Sequence, residues 1–263
     1  VTILISAEVG TEQRNVYPTA SSFEDFGDNR YSPVLHIDYG GVTRATSAAK
    51  LVPNASLTVS IEGGRYALDG AAEVGFLFWG GEGNARAVGT MQGGVMQPAH
   101  YRLAYQGVSE PGAIEITFTD GRAVRWERRP EPDGDWVEEW RRNRVTVEDH
   151  HLAGVLDPLS ALVIPMPADA DPATVCRRLL PVFSGYTRFD LELTGTAAAP
   201  DGVGCTARYH PVAGHRPDSD SVARMTRPGA FEIALAPITE AAWGPARVAV
   251  QTRFGTFEMV RER

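Results

Sequence analysis

Ser160 stands three residues after Asp157 in the run DPLSALVIPMP, and a serine with an acid close by is the first part of a nucleophile–base set. The rest of that set is missing. No Gly-x-Ser-x-Gly elbow surrounds Ser160, and a serine within a short apolar helix does not occupy the exposed strand-to-helix turn of a hydrolase. Hydrolysis is therefore the weakest reading. His150-His151 invites a metal ion, but neighbours on a strand point to opposite faces, and His36, His100, His210 and His215 fall at no ligand spacing. Gly80-Gly81-Glu82-Gly83 lacks the Lys-Ser/Thr ending of a phosphate loop and the third Gly of a dinucleotide fingerprint, so it reads as a turn. Neither a metal nor a cofactor is called for. The two cysteines, Cys176 and Cys205, lie at no Cys-x-x-Cys or zinc spacing and suit either one structural disulfide or two indifferent thiols.

The elements that must hold these residues are strands. After a polar stretch the chain breaks into about fifteen short alternating segments separated by Gly, Pro, Asp and Asn, as in a β protein. Glu62-Gly63-Gly64-Arg65 and Thr119-Asp120-Gly121-Arg122 predict hairpins, because their central residues tolerate positive φ, and strands joined so tightly are antiparallel. Ile114, Ile116 and Phe118 share one face and Glu115 and Thr117 the other, which is the pattern of a half-buried sheet. Residues 144–148 and 222–226 also read as strands. Asp157 as N-cap and Pro158 at the first helical position predict one short apolar helix near residues 157–164 that caps the sheet, with Leu159, Leu162 and Val163 on one face. Arg188 and Asp190, two apart on a strand, predict a structural charge pair, and Trp136 and Trp140, four apart, a helical turn or flap that either docks on the sheet or offers its aromatics to a partner.

Phe76, Leu77, Phe78 and Trp79 put large apolar groups on both faces of one strand, so either protein covers both faces or one lines a cavity for an apolar guest. Phe183, Tyr186 and Phe189, in LLPVFSGYTRFDLEL, leave the same two options, and Leu159 and Leu162 of the capping helix would close such a cavity. The candidate ligand-binding residues are thus Phe76, Phe78, Trp79, Leu159, Leu162, Phe183, Tyr186 and Phe189.

At 263 residues, 43% hydrophobic and 22% charged, the chain can bury a sizeable core as one extended β domain. A net charge of −8 argues against a phosphate-backbone partner, so nucleic acid is excluded. No window reaches the roughly 18 apolar residues of a membrane-spanning helix. Residues 1–9 are either the tail of an export signal or a first strand, and residues 1–30 are read as a lead-in, poorly ordered, before a single β-rich domain over residues 31–263. Oligomeric state is left open.

DPLSAL, then a Cys, LPVF-x-G-x-x-RFDL, a second Cys and Y-x-P-x-AGHRP resemble the bacterial domain-of-unknown-function family 3108 in its periplasmic form, over roughly residues 32–263 and most specifically over 154–217. The resemblance implies an exported envelope protein, no established enzymatic activity, and a Cys176–Cys205 disulfide. It also implies a long curved antiparallel sheet or partly open β-barrel similar to the half-barrels of lipid and lipoprotein carriers. The expected function is binding or shuttling a hydrophobic envelope component, with a structural module acting through an envelope protein partner as the alternative.

Overall fold

Three two-residue turns fold the first half of the chain back on itself. In the computed structural model, which describes residues 2–10, 54–76, 79–106, 111–130, 143–199, 202–252 and 255–261, Gly63-Gly64, Gly93-Gly94 and Asp120-Gly121 all have positive φ, between +50° and +75°. Both central residues of a type I′ turn need that conformation, and its twist matches that of the flanking strands. The turns join β2 (Asn54–Glu62) to β3 (Arg65–Phe76), β4 (Trp79–Gln92) to β5 (Val95–Gln106), and β6 (Gly112–Thr119) to β7 (Arg122–Arg129). The second half supplies β9 (Arg178–Phe183), β10 (Arg188–Ala199), β11 (Gly202–Ala213), β12 (Phe231–Thr239), β13 (Ala242–Thr252) and β14 (Gly255–Arg261).

The strands form one all-antiparallel sheet in the order β7-β6-β5-β4-β3-β2-β1-β14-β13-β12-β11-β10-β9, with the short β8 (Ile164–Pro165) paired to β13. β1 (Thr2–Gly10) joins the halves, pairing Ile3 with Leu57 of β2 and Ile5 with Arg261 of β14. Residues 2–10 are therefore a central strand, not a lead-in to the β-rich domain: the run TILISAEVG finds partners on both sides.

β7 and β9 are the two edges of the sheet. The chain between them closes the gap. Gly154 N donates to Gly121 O in the β6–β7 turn at 2.7 Å, Leu156 N donates to Pro181 O at 2.7 Å, and Phe183 N donates to Leu156 O at 2.9 Å. Leu152, Val155, Leu159 and Val163 from this closing segment pack onto Leu57, Leu68, Tyr101, Ile114 and Ile116 of the first half. A second core surrounds Ile164, Val175, Leu193, Leu235 and Trp243, and a third stacks Phe189 on Tyr209 at 4.9 Å.

Several expectations are corrected. The helix near residues 157–164 is a single 3₁₀ turn, Ser160–Leu162, because extended backbone resumes at Val163. Residues 144–148 form no strand; Val145 exchanges two backbone hydrogen bonds with the Gly214-His215 turn instead. Residues 222–226 fall mostly in α2 (Asp220–Met225), where Ser219 caps the Val222 N–H. Gly80-Gly81-Glu82-Gly83 lies within β4, paired in register with Glu73, Val74 and their neighbours. The sequence pattern also missed α1 (Pro172–Val175), β8 and β9. Phe78, Trp136 and Trp140 lie outside the described residues.

Candidate functional site

The N-cap position of the 3₁₀ turn falls to Leu159 and not to Asp157, yet the Asp157 carboxylate still binds the amides that open the turn. Its Oδ1 accepts from Leu159 N at 2.9 Å and Ser160 N at 2.8 Å, and its Oδ2 accepts from Ser160 Oγ at 2.6 Å. Tyr66 of β3 reaches Ser160 Oγ at 2.8 Å, so a hydrogen-bonded chain runs from the sheet into the closing segment. Asp157 and Ser160 are both fully buried. Burial pushes the Asp157 carboxyl up to about 6, against the pull of the hydrogen bonds from Ser160 and Leu159. Burial also raises the Tyr66 and Tyr101 phenols, with the nearby Asp157 adding to the effect. The Ser160–Asp157 pair resembles half of a hydrolytic set, yet no substrate reaches a hydroxyl with no exposed surface.

Leu159 (8% exposed), Phe183 (0%), Tyr186 (6%) and Phe189 (4%) are buried and pack against protein in the core clusters. Phe183 meets Trp126 of β7 edge to face at 5.3 Å, and the Arg128 guanidinium lies 4.7 Å above the Tyr186 ring. Leu162 leaves the core and is 39% exposed. With Asp157 and Tyr66 drawing Ser160 inward, Leu162 is left on the outer side of the turn. Phe76 of β3 pairs in backbone register with Trp79 of β4.

The expected Arg188–Asp190 pair is present at 2.6 Å. Arg188 also donates through Nε to the His151 carbonyl at 3.0 Å and through Nη1 to the Phe189 carbonyl at 2.7 Å, so it ties β10 to the start of the closing segment. His150 and His151 sit on the 3₁₀ turn Asp149–Leu152, not on a strand, with their rings 3.9 Å apart. Burial is the first cause of a lowered His151 pKa, followed by its His150 neighbour. Among the described residues no group of three His, Cys, Asp or Glu could hold a metal ion. No helix among them is long and apolar enough to cross a membrane. Cys176 and Cys205 form a disulfide, with Cα atoms 5.4 Å apart and both residues buried.

Among the described residues, burial falls toward the far end of the first half's inner face. Register places Leu68, Ala87, Tyr101 and Ile116 in one row across β3–β6, and all four are buried. In the next row, Gly70, Ala85 and Leu103 are half-buried beside a fully buried Ile114. In the row beyond, Gly83, Tyr105 and Gly112 are half-buried and Ala72 is exposed. In the second half, Phe231 beside Val250, and Ile233, Val248 and Met259 across three strands, are half-buried too. Leu159 already occupies the space above Gly70, and the small residues Ala72 and Gly83 stand in the row beyond it. Such rows offer no acid, base or nucleophile; what they can do is bury apolar surface. Sequence reasoning missed them because it sought large side chains, while the uncovered face is built mostly from small ones.

A family model described as "Protein of unknown function (DUF3108)" matches residues 37–261. No curated protein matches the chain. Among solved structures, the chain is similar to that of a beta-barrel-like protein of domain of unknown function DUF1849 from Brucella abortus, at 7% identity over 99% of this chain and 94% of that one, with a TM-score of 0.48.

Proposed function

We propose that this chain, which belongs to the DUF3108 family of proteins of unknown function, is a non-enzymatic envelope protein that binds an apolar guest, a lipid or a lipidated segment, on the uncovered rows of its half-barrel. The falling burial along the rows from Leu68–Ile116 to Ala72–Gly112 carries this reading. A closing segment seals the sheet over the first row and stops short of the last. Burial of guest surface there would contribute about 25 cal/mol per Å² before the costs of ordering it. The disulfide supports export to an oxidising compartment, the periplasm of a Gram-negative bacterium, since reducing compartments keep such thiols apart.

The test is native mass spectrometry with organic extraction on protein isolated under mild conditions from an exporting host. An apolar adduct lost in an Ala72→Asp variant is the expected result; Ala72 is exposed, so this change spares the core. A clean apo mass for the native chain would overturn the carrier reading. The second reading, a module bound to an envelope protein, rests on Val124 and Leu179, which are 51% and 56% exposed on the edge strands β7 and β9. It predicts a co-isolated protein without extractable lipid.

A further inference from the structure

We infer that residues 152–163 are a pH-responsive latch, in which protonated Asp157 holds the closing segment between the two edges of the sheet and ionised Asp157 loosens it. The segment has the anatomy of a latch. β7 and β9 are not neighbours in the sheet, and the backbone links between them run through Gly154 and Leu156. Asp157 follows directly, at the point where the segment turns down onto β3. A fully buried carboxylate normally has a cation beside it. Here the groups that face it are Ser160 and the amides of its own turn, Tyr66 from β3 and Tyr101 from β5, all of them neutral. Among the described residues, no cation and no second carboxylate contributes to its titration.

The same hydrogen bonds serve both protonation states. An ionised Asp157 accepts from the Ser160 hydroxyl, which in turn accepts from Tyr66; a protonated Asp157 donates to Ser160 Oγ, which donates to Tyr66. Geometry therefore survives the proton, and the difference lies in the cost of keeping a charge out of water. The carboxyl titrates near 6 when closed, against 3.8 in its ordinary state. A pKa raised in the closed form means that stability is complete below the ordinary pKa and is lost as pH rises through about 6. Acid locks the segment and neutral pH loosens it, with or without a guest.

Native-state amide exchange on the whole chain, at pH 5 and pH 8 and scaled by intrinsic rates, tests the latch. The opening constant of the amides of residues 154–163 is expected to rise roughly tenfold between the two, while amides of β12 and β13 change little. Asp157→Asn keeps the acceptor for the two amides and can never ionise, so its rise should fall below about twofold. His150 and His151 are retained in that variant, which separates their titration from that of Asp157. Tyr66→Phe is the second variant: it leaves the carboxyl in place, so the rise should persist on a higher baseline. An equal rise in Asp157→Asn, no rise in the native chain, or opening of residues 154–163 only together with the entire sheet would each overturn the inference.

Discussion

Leu159 and Gly70 offer a direct measurement of how tightly the closing segment seats on the sheet. A Cβ placed on Gly70 would lie 3.0 Å from Leu159 Cδ1, 3.8 Å from its Cδ2 and 3.9 Å from the Ala85 Cβ. Leu159→Ala removes a buried side chain and should cost about 2–5 kcal/mol, depending on how far the site collapses. Gly70→Ala gains about 0.5–1 kcal/mol from the strand backbone but loses about 1–3 kcal/mol by crowding Leu159, for a net loss. In the double variant the crowding atoms are gone and the new methyl enters the space they left. It should therefore exceed Leu159→Ala in stability by about 1 kcal/mol, a coupling energy of about 1–3 kcal/mol. Urea unfolding followed by tryptophan fluorescence and far-UV circular dichroism, without reductant, gives the four free energies. Additivity within about 0.5 kcal/mol would refute the contact, and with it the seating of the segment on β3.

Three further outcomes follow from the same packing. Replacing Cys176 and Cys205 together with Ala opens a cross-link spanning 29 positions and should lower unfolding free energy by about 3–4 kcal/mol, read as a shift in urea midpoint. Gly214→Ala should cost at least about 3 kcal/mol, read by thermal melting and soluble yield, since φ is +79° and the added Cβ would fall 2.1 Å from the Tyr186 carbonyl oxygen. Arg178→Met should raise stability by about 1 kcal/mol: Arg178 Nε is buried with no partner among the described residues, burial alone lowers its pKa, and Met keeps the apolar stem. A lower melting temperature for Arg178→Met would show that the guanidinium is paired.

Local rules made much of the fold legible. The Gly-Gly and Asp-Gly turns announced two hairpins because positive φ is written in residue type, and Ile114, Ile116 and Phe118 were read as core because period two is written in spacing. Asp157 was legible as the acceptor for its turn's amides for the same reason. What faces it was not: Tyr66 and Tyr101 arrive from strands far away in sequence, and only strand order and register bring them there. Phe183, Tyr186 and Phe189 have the composition of a ligand pocket and are buried against protein, and an aromatic cluster looks the same in sequence whether a guest or a closing segment covers it. Residues 222–226 misled because apolar and polar residues alternate there, and the helix start set by Ser219 outweighed that pattern.

The placing of β1 between β2 and β14 governs how this chain can fold. Each half of the sheet is a meander whose strands pair with near neighbours as they emerge, and those pairings close short loops. The ladder between Ile5 and Arg261 is another matter: its partners are among the most distant in sequence, so its closure entropy is met last and against a nearly finished structure. Until then, β2 and β14 each expose an unpaired edge, the kind of surface that recruits other chains. A protein wired this way is most exposed to mispairing before those edges are covered, and its slowest folding step should be the docking of one nine-residue strand.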